Sequence, residues 1–95
     1  MTLEEFKEST RRESPPKGIS PLLKAMWYDA KGKWESAHNL AQDEHSPEGS
    51  WIHAYLHRKE GDLGNASYWY HRANQPVPQQ PLEKEWEEIA AALLN

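Results

Sequence analysis

The chain has 95 residues, with 11 Lys and Arg against 15 Asp and Glu, and its net charge is −4 when histidine is neutral. This length is typical of one domain, and the negative charge opposes a phosphate backbone, so we expect no nucleic-acid partner. The absence of cysteine excludes disulfides and thiolate metal sites. No apolar run approaches the roughly 20 residues that span a bilayer, and residues 1–12 lack the apolar core of a secretory signal. We therefore expect a cytoplasmic protein with no membrane partner.

Capping residues and chain-breaking residues predict six helices. Thr2 and Glu5 have the spacing of a capping box, and Ser20 and Ser46 each precede a proline, a typical helix start. Glycines or prolines follow most of the predicted helices. The predicted helices cover residues 3–12, 22–31, 33–43, 47–60, 63–74 and 81–93. No segment alternates apolar and polar residues with period two, so the predicted fold class is all-α.

The two terminal helices differ in their apolar content. The last helix has one amphipathic stripe and is expected to cover the end of the fold. That stripe consists of Leu82, Trp86, Ile89, Ala90 and Leu93. The first helix has only Leu3 and Phe6 as clearly apolar residues, so we expect it to dock loosely.

The centre of the chain contains an internal repeat. Four small or helix-breaking residues recur 29 positions later: Ala25, Gly32, Ala37 and Pro47 correspond to Ala54, Gly61, Ala66 and Pro76. In each copy the glycine allows the chain to reverse after the first helix. The flanking alanines allow two antiparallel helices to approach closely.

The second copy resembles the tetratricopeptide repeat. Ala54, Gly61, Ala66, Tyr70, Ala73 and Pro78 stand where that family places small, glycine, small, aromatic, small and proline residues. The first copy matches at Ala25, Tyr28, Gly32 and Ala37 only, and the repeat length of 29 is shorter than the family's 34. The likeness extends from about Ser20 to Pro78 and includes related Sel1-like repeats. Similar stretches occur in small bacterial proteins.

The resemblance implies a right-handed array of two antiparallel helical hairpins, flanked by an N-terminal helix and a C-terminal amphipathic capping helix. We expect a single domain, residues 1–95. It would comprise an N-terminal helix and linker (1–19), hairpin 1 (20–45), hairpin 2 (46–75), and a proline-rich connection with the last helix (76–95). The family implies protein or peptide binding, and self-association as a homodimer is an alternative. Without a phosphate loop, a nucleophile elbow or a cysteine, we expect neither catalysis nor a cofactor.

The first helix of the second hairpin carries the binding residues that the resemblance implies. Trp51, Tyr55 and Arg58 follow one another at spacings of four and three and therefore share a helix face. Aromatic residues with arginine are typical of binding hot spots. The alternative is that Trp51 and Tyr55 pack on neighbouring helices.

Three histidines allow a different function. His53 and His57 are four residues apart on one helix, a spacing that can place two imidazoles on one metal ion, and His38 could complete a three-histidine site. We expect instead a packed structural cluster and no bound metal, because His57 corresponds to Tyr28 in the first copy and no HExxH pattern is present.

A small-molecule pocket is the third interpretation of this region. It would lie between hairpin 2 and the last helix, with Trp69 as its floor and Arg72 and His53 or His57 at its edge. We expect Trp69 to meet the last helix, Tyr70 to face inward, and Tyr68 to stack with Arg72.

Overall fold

Local hydrogen bonds at the helix starts follow the sequence closely. The computed structural model describes residues 1–95. Thr2 and Glu5 form the capping box, and the side chains of Ser20, Ser46 and Asp62 each accept a hydrogen bond from the backbone N–H three residues later. The six helices are α1 (Leu3–Ser9), α2 (Pro21–Ala30), α3 (Trp34–Gln42), α4 (Pro47–Glu60), α5 (Leu63–Arg72) and α6 (Leu82–Leu94). With no strand present, the all-α prediction is confirmed. None of the six helices has both the length and the apolar character needed to cross a membrane.

The predicted chain reversals occur at two glycines. Gly32 and Gly61 have φ angles of +78° and +91°, a left-handed conformation that side chains with a Cβ rarely adopt. α2 packs against α3 after the first reversal, and α4 packs against α5 after the second. Ala54 and Ala66 are fully or almost fully buried between α4 and α5, where small side chains allow close packing.

α4 is the central helix, because it packs against α2, α3, α5 and α6. Its buried residues point in several directions. Ile52 and Leu56 enter the main apolar core with Met26 and Trp27 of α2, and both are completely buried. The side chains of α4 therefore contact, and help to position, each of the four helices around it.

The terminal helices close one side of this core. Trp86 of α6 donates a hydrogen bond from Nε1 to the carbonyl oxygen of Met26 at 3.1 Å, and its ring stacks on Phe6 at 5.7 Å between centroids. Phe6 is 0% exposed, and Trp27 Nε1 donates to the carbonyl oxygen of Ser9 at 3.0 Å. The expectation that α1 docks loosely is therefore wrong, since one large aromatic side chain and the end of the helix are both anchored.

Candidate metal centre

Three histidine side chains converge between α3 and α4. His38 lies on α3, whereas His53 and His57 lie one turn apart on α4. The Nε2 atoms of His38 and His53 are 3.0 Å apart, and a ring nitrogen of each of the three histidines lies within 4.8 Å of those of the other two. His53 and His57 are only 6% and 8% exposed, so the cluster (His38, His53 and His57) sits at the edge of the interior.

Two tryptophans hold these rings in place. Trp34, one turn before His38 on α3, stacks on its imidazole with centroids 4.8 Å apart and an interplanar angle of 13°. Trp69 of α5 stacks on His53 at 4.1 Å and 17°. Since a flat ring covers His38 and another covers His53, rotation of either imidazole is restricted.

The remaining imidazole is oriented by hydrogen bonds. His57 Nδ1 lies 2.7 Å from Oε1 of Glu60, and its Nε2 lies 3.4 Å from Nδ2 of Asn65. A proton on Nδ1 satisfies both contacts, because Nδ1 then donates to the carboxylate and Nε2 accepts from the amide. In this tautomer the single Nε2 lone pair accepts from Asn65, and it would bind a metal ion only after that amide moves away. A carboxylate on the opposite nitrogen is the usual support for a metal-bound histidine.

Burial controls the charge of the cluster. It lowers the pKa of His53 to about 4, and the neighbouring His38 and His57 add to this effect. Burial also lowers the pKa of His38, as does His57, while Glu60 and Glu35 oppose the change. As the pH falls, both imidazoles therefore remain uncharged down to a lower pH in the folded chain than in the unfolded chain.

The metal-free protein is expected to lose stability as the pH falls from about 6.5 towards 4, by an amount on the order of 2 kcal/mol from His53. In this window the unfolded chain binds a proton at His53 and the folded chain does not, so protonation favours unfolding. Urea unfolding at pH 7, 6 and 5 with a chelator present measures the effect. The decrease in unfolding free energy per pH unit should be smaller in His53→Gln than in the parent. It should be unchanged in His45→Gln, because His45 is exposed. Equal slopes in all three proteins would contradict this origin.

The spacing of the cluster suits a tetrahedral metal ion. Zinc–nitrogen bonds of about 2.0–2.1 Å place neighbouring ligand nitrogens about 3.3 Å apart. The distance of 3.0 Å between the Nε2 atoms of His38 and His53 is close to that value. All the ligand nitrogens lie within 4.8 Å of one another, so small side-chain rotations would bring the third nitrogen to the same spacing. His57 also groups with Glu60 and Asp62, but those two acids are exposed and belong to the helix end, so the three imidazoles are the better ligand set.

A cleft of about 530 Å³ borders the cluster at His53. It lies between the start of α4, the end of α5 and the α3–α4 connection, and Trp69 and Arg72 form part of its wall. The connection passes close to α4 because Gly49 has no side chain, and a Cβ there would collide with the carbonyl oxygen of Glu44. The cleft therefore brings Arg72 and an aromatic ring to one side of the histidine cluster.

This cleft is not where the sequence predicted a pocket. Trp69 stacks on His53 rather than meeting α6, so that expectation is wrong. The reason is the helical rotation of about 100° per residue, which turns Tyr70 instead towards α6, where its hydroxyl donates to Glu85 at 2.6 Å. Tyr70 faces inward as predicted, at 1% exposed, and Arg72 lies over Tyr68, also as predicted.

The other candidate binding residues hold helices together. Trp51 and Arg58 both donate to Glu85 of α6, at 3.3 and 2.8 Å. Tyr55 is 2% exposed, and its hydroxyl donates to Asp29 of α2 at 2.8 Å. Trp51 and Tyr55 thus pack on neighbouring helices, the alternative to an open peptide-binding face.

Several residues around the site were not predicted from the sequence. Trp34 could have been found from its position four residues before His38, and Glu60 from its position three residues after His57. The buried carboxylates of Asp29 and Glu85 gave no such signal, because their partners lie on other helices.

Comparisons with known proteins identify no relative. No protein-family model matches the chain, and neither the curated proteins nor the solved structures provide a significant match. The histidine cluster and its surroundings are therefore the basis for assigning a function.

Proposed function

We propose that this protein binds a Zn²⁺ ion through the Nε2 atoms of His38, His53 and His57. The observation that carries the proposal is the convergence of three imidazoles from two helices, with ring nitrogens within 4.8 Å of one another. Two of these residues are buried, and burial keeps His53 neutral at pH 7, which is the form of imidazole that binds a metal ion.

The chemistry of the ligands favours zinc. Three imidazoles without a thiolate suit Zn²⁺, Cu²⁺ or Ni²⁺, and the absence of a fourth protein ligand is typical of zinc sites that keep one position open. Glu60 on the far nitrogen of His57 fixes the orientation of that imidazole, as second partners of metal-bound histidines do. A hard, oxygen-preferring ion such as Mg²⁺ would find no carboxylate or carbonyl ligand in this set.

A metal ion would also link two parts of the fold. His38 belongs to the first pair of packed helices, whereas His53 and His57 belong to the second. Because the ion binds the folded chain, it would stabilise that chain by about 2.7 kcal/mol at a free concentration 100 times the Kd. Metal binding would thus reinforce the packing of α3 on α4.

Isothermal titration calorimetry with Zn²⁺, together with the visible absorption of Co²⁺, tests the proposal. We expect one ion per chain, and His38→Ala should weaken binding at least about 100-fold, since it removes a ligand. His38 is only half-buried, so this variant should keep the far-ultraviolet circular dichroism of the parent. Co²⁺ should also quench tryptophan fluorescence, because Trp34 and Trp69 stack on two of the ligands.

His71→Gln is the matched control, because this histidine is exposed, lies outside the cluster and does not line the cleft beside it. It should bind zinc as the parent does. Tighter binding of Cu²⁺ than Zn²⁺ would follow the usual order of affinities and leave the site intact. Undetectable binding at millimolar zinc, or equal affinity in His38→Ala and the parent, would reject the site.

Self-association is the second candidate function, and one observation favours it. α5 packs closely against α4 alone, and its outer face exposes Leu63 and Tyr68 by 66% and 54%. In a tetratricopeptide-type right-handed array, that face would receive the next helix, which a second copy or a bound peptide could supply. Sedimentation velocity of the parent and of Tyr68→Glu tests for a homodimer. The parent should form dimers as its concentration rises and Tyr68→Glu should remain monomeric, whereas a parent that stays monomeric at high concentration excludes the homodimer.

A further inference from the structure

We infer that the cleft beside the cluster holds a small carboxylate, one oxygen of which occupies the fourth position on the metal ion. This inference rests on the proposed zinc site and specifies the ligand that would complete it. The cleft reaches the cluster at His53, and its other wall carries the cationic side chain of Arg72.

The charge of the site favours an anion. Three neutral imidazoles leave the full charge of a divalent ion unbalanced, because no carboxylate belongs to the ligand set. Glu60 binds the far nitrogen of His57 and is therefore held away from the ion. In a part-buried site, where charges are weakly screened, an anionic fourth ligand is more favourable than water.

Arg72 is available to the same anion. Its guanidinium lies 5.3 Å from the ring centroid of Trp69, whose ring stacks on His53 at 4.1 Å. One of its N–H groups donates to the hydroxyl of Tyr68 at 3.1 Å, and Arg72 forms no ion pair with any carboxylate. The remaining N–H groups can donate to the carboxylate oxygen that does not bind the metal ion.

The size and lining of the cleft further restrict the kind of carboxylate that would fit. A volume of about 530 Å³ greatly exceeds the roughly 30 Å³ share of a water molecule, so the space accepts a molecule with several heavy atoms. The hydroxyls of Ser46 and Ser50 and the amide of Gln42 line it, which suits a polar body. Glu44 is the one acid on the wall; it is exposed and lowers the positive potential only in part.

Titration of the Co²⁺-loaded chain with sodium acetate tests the inference. We expect a saturable change in the visible Co²⁺ bands, which report directly on the ligands of the ion. Sodium perchlorate at equal ionic strength, whose anion coordinates metals only weakly, should produce no such change. Arg72→Gln should weaken acetate binding about 3- to 10-fold and leave Co²⁺ affinity unchanged. Arg11→Gln is the matched control, because it removes the same charge from an exposed residue that lines a different cleft.

The other outcomes of this titration separate failure of the zinc site from failure of the carboxylate inference. A chain that binds no Co²⁺ rejects the zinc site before acetate is added. Bound Co²⁺ whose spectrum ignores acetate up to about 100 mM keeps the metal site and overturns the carboxylate ligand. An acetate response that is equal in Arg72→Gln and the parent places the anion on the metal without the cleft, and overturns the role of Arg72.

Discussion

Deletion of residues 81–95 is expected to leave a chain without a cooperative unfolding transition. α6 buries Trp86, Ile89 and Ala90 against α1, α2 and α4, and Phe6 loses its stacking partner when Trp86 is removed. Burial of each large apolar side chain contributes about 1.5–3 kcal/mol. Losing several such contacts removes an amount comparable to the entire stability of a small domain, about 5–15 kcal/mol.

Thermal unfolding followed by circular dichroism measures this effect. The truncated chain should show a shallow, non-sigmoidal loss of helix signal and should bind a dye that reports exposed apolar surface. Removal of Asn95 alone is the control, because this exposed residue follows the end of α6 and makes no core contact. A truncated chain that melts cooperatively at the temperature of the parent would show that α6 is not needed to complete the core.

Local sequence features were sufficient to predict the helices. Ser46 and Gly61 bracket α4, and both its ends match the prediction, because a capping hydroxyl and a left-handed glycine act within one turn of the helix. Other C-terminal ends were less accurate. α1 ends at Ser9 rather than Arg12, where no glycine follows directly and the polar residues give no stop signal.

Contacts between distant helices could be predicted only in part. The small residues Ala54 and Ala66 indicated the close packing of α4 and α5, because only small side chains at the contact let two helix backbones approach closely. Docking of α1 was missed because it depends on Phe6 meeting Trp86, 80 positions later. The histidine spacing on α4 indicated two ligands, but whether His38 of α3 would complete the set depends on how the two helices pack.

α4 connects the candidate site to the stability of the fold. One face presents His53 and His57 to α3 and α5, another presents Arg58 to α6, and a third presents Tyr55 to α2. A substitution on one face can shift the whole helix and alter the other faces. Stability measurements must therefore accompany every binding measurement on variants of this helix.

Replacement of Glu85 by alanine is expected to cost about 3–5 kcal/mol of unfolding free energy, because it removes one partner of a buried charge pair. The carboxylate is 1% exposed and accepts hydrogen bonds from Arg58, Tyr70 and Trp51. Without it, the Arg58 side chain, which is 18% exposed, keeps only the carbonyl oxygen of Gln80 as a partner. The Tyr70 hydroxyl also loses its acceptor, and burial together with Glu85 raises the pKa of this group far above its usual range, so it stays a neutral donor.

Urea unfolding of Glu85→Ala, Glu85→Gln and Glu83→Ala measures the cost of losing this carboxylate. Glu85→Gln should be intermediate, because the amide keeps the shape and one acceptor oxygen but leaves the arginine charge unbalanced. Glu83→Ala is the control on the same helix, since Glu83 is exposed and has no ion-pair partner, and it should change the free energy by less than about 0.5 kcal/mol. Tyr70→Phe combined with Glu85→Ala should cost less than the sum of the two single changes, because Tyr70→Phe removes a hydroxyl that Glu85→Ala has already left unpaired. Equal effects of Glu85→Ala and Glu83→Ala would mean that this buried pair contributes little to holding α6 on α4.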